Sequence, residues 1–122
     1  MIRFDGVSRY FGSVAAVDRL DLEVPDRQLC VLVGPSGSGK STMLRMINRL
    51  VEPTSGRIFV NGRDTTEMKP QQLRLSIGYA IQSVGLFPHM TVGRNIAVVP
   101  ELMHWTRGRV NARVNELLLM VG

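Results

Sequence analysis

Three patterns of apolar and polar residues follow one another along the first half of this chain, and each predicts a different element. Ile2, Phe4 and Val7 open an alternating segment. Leu20, Leu22 and Val24 then alternate cleanly with Asp21 and Glu23, the period-two signature of a half-buried strand. Pro25-Asp26 predicts a turn into the uninterrupted run Leu29-Cys30-Val31-Leu32-Val33, long enough for one buried strand. Met43, Leu44, Met46, Ile47 and Leu50 recur at helical spacing. Pro53-Thr54-Ser55-Gly56 breaks that helix. Ile58-Phe59-Val60 predicts a short strand ending at the tight-turn pair Asn61-Gly62. A short helix is expected around Pro70–Leu75, then a second buried strand, Ile77–Ile81, with Gln82 at its carboxyl end. Ser83 to His89 reads as loop, punctuated by Gly85 and Pro88. Thr91 is placed to cap a helix through Val99, which Pro100 is expected to end. Val110, Val114, Leu117, Leu118 and Val121 lie on one face of a last, amphipathic helix.

Between the Leu29–Val33 run and the helix after it stands GPSGSGKS, Gly34 to Ser41, a complete G-x-x-x-x-G-K-[ST] phosphate-binding loop. The pattern gains force from its setting, because strand, glycine loop and helix are the parts such a site needs. Glycines let the backbone fold so that successive N–H groups point into one concavity that attracts oxyanions. The following helix adds its unpaired first-turn N–H groups and the positive end of its dipole. In this motif Lys40 reaches the terminal phosphates and the Ser41 hydroxyl ligates Mg²⁺. A ligand-free Gly/Ser connector is the plainer reading. Lys40 weighs against it, since a cation opening a helix meets the dipole at its unfavourable end and needs an anion nearby. The expectation is a chain that binds a nucleoside triphosphate, or descends from one that does.

Composition narrows the remaining classes. The 122 residues suffice for one domain, and 44% hydrophobic content is ordinary for a globular one. No apolar stretch approaches the roughly 18 residues of a membrane span. Met1 to Asp5 lack the basic-then-apolar pattern of a secretory signal, so a cytosolic chain is expected. The single cysteine, Cys30, cannot form an internal disulfide and is expected to act as a small apolar filler in its strand. The net charge of +5 invites a nucleic-acid reading. The basic residues are scattered, however, with Arg107, Arg109 and Arg113 the closest grouping, and a solvated or protein-facing surface accounts for them without nucleic acid.

Several segments in order resemble the ATP-binding subunit of an ABC transporter. Gly34, Pro35, Ser36, Gly37, Ser38, Gly39, Lys40, Ser41 and Thr42 match the family's phosphate loop. Phe11, ahead of Gly12, looks like its adenine-stacking aromatic, with Tyr10 as second choice. Gln82 matches the glutamine that touches the Mg²⁺ site and relays movement to the membrane subunits. Gly85-Leu86-Phe87-Pro88 and Thr91-Val92-Gly93-Arg94-Asn95-Ile96 look like the segment that docks against a permease coupling helix. Met46–Leu50, Ile77–Gln82 and Val99–Leu102 resemble the branch that imports glycine betaine, choline and related osmoprotectants.

The resemblance implies an α/β fold, a P-loop NTPase (ABC ATPase) core sheet with an amino-terminal antiparallel β subdomain. It also implies ATP and Mg²⁺ as cofactors, Lys40 and Gln82 in catalysis, and Ser41 and Gln82 at the metal. Its partners would be membrane-spanning permease subunits and a second ATP-binding subunit, with the chain peripheral on the inner face of the cell membrane. The likeness covers residues 1–122 but only about the first half of the family's domain. No signature loop of the LSGGQ type, no strand ending in Asp-Glu and no switch histidine occurs in the sequence. An amino-terminal fragment is therefore expected, with ATP hydrolysis a property of the complete protein. Two alternatives stay open: a non-catalytic nucleotide-binding or docking module from an interrupted gene, and another P-loop NTPase such as a small kinase. The latter would have no need of the Gln82–Ile96 pattern.

Overall fold

The computed structural model describes residues 1–83 and 85–122 and divides them into two compact units, Met1–Ile77 and Gly78–Gly122. Val84, part of the loop expected from Ser83 to His89, lies outside the described residues. Among the described residues no helix is long and apolar enough to cross a membrane.

The first unit is built on a four-stranded antiparallel sheet. Its strands are β1 (Ile2–Phe11), β2 (Val14–Val24), β3 (Ser55–Val60) and β4 (Arg63–Asp64), in the order β2-β1-β3-β4. The alternation read around Leu20–Val24 extends back to Val14, where β2 closes a hairpin on β1 through the Phe11↔Val14 pair. β1 pairs on its other edge with β3, from Ile2↔Val60 to Ser8↔Ser55. Irregular register near Gly6 brings the two backbones close together. A Cβ on Gly56, whose φ is +82°, would lie 2.4 Å from the Gly6 carbonyl oxygen, so only glycine fits there.

Helix α1 (Lys40–Ile47) lays Met43, Met46 and Ile47 on one face of this sheet. Met46 joins Phe4, Val7, Val17 and Ile58 in the buried core, and Leu20, Leu22 and Val51 pack around them. The helix stops at Ile47, three residues short of Leu50. Arg49 adopts a left-handed φ of +53°, its N–H donates to Met46 O, and Leu50 N–H donates back to Arg45 O. That is the helix-ending motif in which glycine is usual. Arg49 is held in the conformation by its side chain, which donates to the carbonyls of Thr65 (3.1 Å) and Met68 (3.0 Å) and pairs with Glu52. After β4 come a single 3-10 turn, Thr65–Glu67, and the short helix α2 (Pro70–Leu75), as expected around Pro70.

Two expected strands do not form. Leu29–Val33 is in neither helix nor strand; Leu29 and Val33 are 90% exposed, and Cys30 is exposed rather than an apolar filler. Ile77–Ile81 likewise forms no strand, and Tyr79 and Ile81 are exposed. Apolar sequence supplies the reason to be buried, but a strand exists only through a neighbour that completes its ladder. Among the described residues no segment pairs with either run.

The second unit holds α3 (Val92–Leu102) and α4 (Arg107–Val121), which pack on each other. Thr91 caps α3 as expected, its hydroxyl accepting from Arg94 N–H. Pro100 does not end α3, because a proline near a helix end forfeits one hydrogen bond without preventing the next ones. Met103 N–H donates to Val99 O and His104 N–H to Glu101 O, and the left-handed His104 (φ +57°) closes the helix. On α4, Val110 is buried and Val114, Leu117 and Leu118 are half-buried, while Val121 is exposed.

Asp64 is a buried carboxylate that caps the 3-10 turn, accepting from Thr66 N–H (2.8 Å) and Thr66 Oγ1 (2.7 Å). Burial alone would raise its pKa. The two Thr66 hydrogen bonds, with the Arg57 and Arg49 charges, outweigh burial and hold it below the ordinary carboxylate value. A depressed folded pKa contributes stability that is fully present above the unfolded value of about 4 and is lost as pH falls through the folded one. Urea denaturation between pH 6 and pH 3 should therefore show a steeper loss of stability in the wild type than in Asp64→Asn, which keeps a capping oxygen but cannot titrate.

Candidate phosphate-binding site

The loop from Gly34 to Gly39 folds back on itself, and its lysine holds it closed. Lys40, the first residue of α1, donates from Nζ to the carbonyls of Gly34 (2.8 Å) and Pro35 (2.6 Å) and to Ser38 Oγ (3.0 Å). Ser38 N–H also donates to Pro35 O. Gly37 and Gly39 sit at φ of +82° and +85°, the left-handed region that turns the chain and leaves its N–H groups available on one side. A Cβ on Gly34 would come 2.8 Å from Ser38 Oγ. Gly39 is buried, and a Cβ there would lie 2.1 Å from the Ala16 carbonyl oxygen on β2. The loop is thus seated directly on strand backbone. Ser41 is exposed in the first turn of α1, with Thr42 half-buried beside it.

Phe11 ends β1 opposite Val14, two residues from the Ala16 seat of the loop, roughly 7 Å along the strand. The ring is 49% exposed, and the Arg9 guanidinium lies 4.4 Å from its centroid. Tyr10 is differently committed: its hydroxyl donates to Asp18 Oδ1 at 2.9 Å. That hydrogen bond, reinforced by the Asp18 charge, holds the phenol above its usual range. The hairpin end carrying Phe11 and the loop Gly34–Thr42 therefore belong to one unit. Gln82 lies in the second unit, exposed, outside helix and strand.

The far end of α1 is also fixed. Arg74 on α2 donates from Nε to Asn48 O (3.0 Å) and from Nη2 to Arg49 O (2.8 Å). A cation at carbonyls left over at a helix carboxyl terminus stabilises the helix. Nothing in the local sequence announces this contact, because α2 and the end of α1 are joined only by the fold.

In the second unit, Asn95 organises the expected docking loop. Its Oδ1 accepts from Phe87 N–H (2.7 Å), and its Nδ2 reaches the carbonyls of Phe87 (3.2 Å) and Thr91 (3.0 Å). Leu86, Phe87, Pro88, Met90, Val92 and Ile96 line a mostly apolar hollow of about 430 Å³ there.

The arrangement is a glycine loop on strand backbone, closed by a lysine and continued as a helix. Residues 17–122 match the model of the ABC transporter family, and the chain belongs to that family. It is 46% identical to the osmoprotectant import ATP-binding protein OsmV of Salmonella typhimurium, over 99% of this chain and 33% of that protein. It is 49% identical to the glycine betaine uptake system ATP-binding protein YehX of Escherichia coli, over 100% of this chain and 40% of that one. The sulfate/thiosulfate import ATP-binding protein CysA of Synechococcus elongatus is 48% identical over 98% of this chain and 34% of its own length. Among solved structures, the post-hydrolysis dimer of the ATP-binding cassette MJ0796 bound to ADP and Pi matches with a TM-score of 0.82. Its identity is 26%, over 98% of this chain and 56% of that one. The chain thus spans 33–40% of the length of the two osmoprotectant relatives.

Gly39→Ala tests the seating of the loop. The substitution combines a left-handed φ with a collision against the Ala16 carbonyl, so a loss of roughly 2–4 kcal/mol is expected. Urea denaturation of the variant checks this.

Proposed function

We propose that this chain is the nucleotide-binding portion of the ATP-binding subunit of a solute importer, and that residues 1–122 are the amino-terminal part of one such domain. The observation that carries the reading is the loop Gly34–Thr42, closed by Lys40 and seated on Ala16 beside the Phe11 hairpin end. The residues fit a triphosphate. Gly39 stands where any side chain would collide with the Ala16 carbonyl, and Lys40 Nζ is tethered within the loop it would have to serve. Gly34, Pro35, Ser36, Gly37, Ser38 and Gly39 would supply the cradle, with Ser41 and Thr42 at its helical end. Ser41 would hold Mg²⁺, and Phe11 would stack on the base.

When bound, Mg²⁺ and ATP supply the charge and the scissile bond of phosphoryl transfer. Lys40 and the loop N–H groups would then stabilise charge growing on the outer phosphate oxygens. Lys40 now donates to backbone carbonyls, and phosphate oxygens are the stronger acceptors that would draw it away. In the complete protein the family's head-to-tail pairing would supply the second half of the site and the residue that orients water.

The solute reading is osmoprotectant import, glycine betaine or choline in kind. Its support is the likeness of Met46–Leu50, Ile77–Gln82 and Val99–Leu102 and the names of the two enteric relatives. The membrane partner would meet the loop after Gln82, where Asn95 presents Leu86 and Phe87 at the surface. The chain would then sit peripherally at the cytoplasmic face.

Two measurements test these assignments. Lys40→Ala should weaken Mg-ATP binding by tenfold or more, roughly the 1.4 kcal/mol or greater of a charge-assisted contact. AMP binding should change little in isothermal titration, and equal losses for both nucleotides would remove Lys40 from the outer phosphates. In a reconstituted full-length transporter, Phe87→Asp should impair assembly with the membrane subunit and solute uptake. Normal uptake would exclude the loop as the docking segment.

A further inference from the structure

The Arg9 side chain is laid on the ring of Phe11, and several contacts fix it there. Its Nη1 donates to the Glu52 carbonyl at 3.0 Å, and its Nε is buried without a hydrogen-bond partner. The loop that offers Glu52 O is itself bonded to β1, with Thr54 N–H on Ser8 O (2.8 Å) and Tyr10 N–H on Thr54 Oγ1 (3.1 Å). The guanidinium therefore cannot swing away without giving up its hydrogen bond to a carbonyl that this junction holds in place. Its carbon stands 4.4 Å from the Phe11 centroid, within cation–π range.

A phenylalanine at the end of a hairpin, half exposed, has no hydroxyl to orient it and would otherwise sample several rotamers. With one face taken by an anchored guanidinium, the ring is held in one plane. The ring is about half exposed, which leaves room for a flat, electron-rich partner. The same positive charge, acting through the ring, would favour a purine stacked on its far side.

We propose that Arg9 is a positioning residue for the nucleobase: it backs Phe11, sets the ring plane and so determines base affinity at the phosphate-loop site. The proposal rests on the nucleotide-binding reading given above. It adds a residue that contacts neither phosphate nor base and acts through the ring.

The experiment compares Mg-ATP with magnesium tripolyphosphate, which has the phosphates without the base, by titration into the 122-residue chain. Arg9→Gln should weaken Mg-ATP binding about three- to tenfold, the scale of a cation–π contact and an aligned stack. Tripolyphosphate affinity should change less than about twofold, since its contacts are those of the loop. Arg9→Lys, which keeps a cation, should recover part of the loss. Once Phe11→Ala has removed the ring, adding Arg9→Gln should weaken Mg-ATP binding no further, because the arginine acts through that ring. Equal weakening of both ligands, or none of either, overturns the proposal, the first by making Arg9 a general support of the loop. If the wild-type chain binds neither ligand, the nucleotide reading fails and this proposal with it. Thermal melts of Arg9→Gln and Arg9→Lys accompany the titrations, and a variant that does not melt like the wild type is replaced by the other.

Discussion

The Ala16 carbonyl faces Gly39 across a gap too narrow for a single methyl group. Where α1 begins is decided by that contact, since Gly39 is the residue on which the helix starts. The core then decides the helix's direction, because Met43, Met46 and Ile47 must reach Phe4, Val7 and Ile58 on the sheet. The left-handed Arg49 ends it, and Arg74 holds the backbone just beyond. A helix constrained at both ends and along one face has little freedom left, so the loop in front of it inherits a defined geometry. The left-handed turns at Gly37 and Gly39 are tolerable because they are glycines, and the closure by Lys40 uses acceptors that the turn itself brings together.

Electrostatics along α1 are uneven in a way that suits an anion. Its first turn holds no acidic side chain, and Lys40 there is engaged with carbonyl oxygens. The carbonyls of Asn48 and Arg49, at and just past its end, are met by the Arg74 guanidinium. The negative end of the helix is therefore compensated within the fold. The positive end is left to whatever approaches the loop. Arg49 contributes to the same end of the molecule by a different route, holding the backbone of Thr65 and Met68 beside the helix terminus.

What could be read in the sequence was whatever depends on neighbours in the chain. The alternation of Leu20, Leu22 and Val24, the glycine loop, the Thr91 cap and the amphipathic face of α4 each carry their own local reason. Leu29–Val33 and Ile77–Ile81 were misread for the opposite cause, since their apolar character is local but a strand's ladder is not. Pro100 misled because its effect depends on how much helix remains beyond it. Within the site, the loop was legible, while Ala16, Arg9, Arg49 and Arg74 were not. Each depends on a contact with a residue many positions away, Arg9 through its anchor on Glu52 O, and an arginine that bonds a distant carbonyl looks in sequence like any surface arginine. Asn95 lay in a segment already singled out, yet its bonds to Phe87 and Thr91 depend on a loop conformation that spacing alone does not specify.

The strand order β2-β1-β3-β4 carries a consequence for how this molecule comes into being. The β1–β2 hairpin closes between Phe11 and Val14 and needs only local chain. Pairing of β1 with β3 joins Ile2 to Val60, with the loop and α1 enclosed between them. Contacts that close long stretches of chain form slowly, because the entropy of closure is spent before the contact rewards it. During synthesis the hairpin can form early, with Phe11 already at its tip. The Glu52 and Thr54 anchors on β1 have to wait for β3 to arrive. Arg9 thus gains its anchor only after the Phe11 ring beside it is already in place, although the two residues are near neighbours in the sequence.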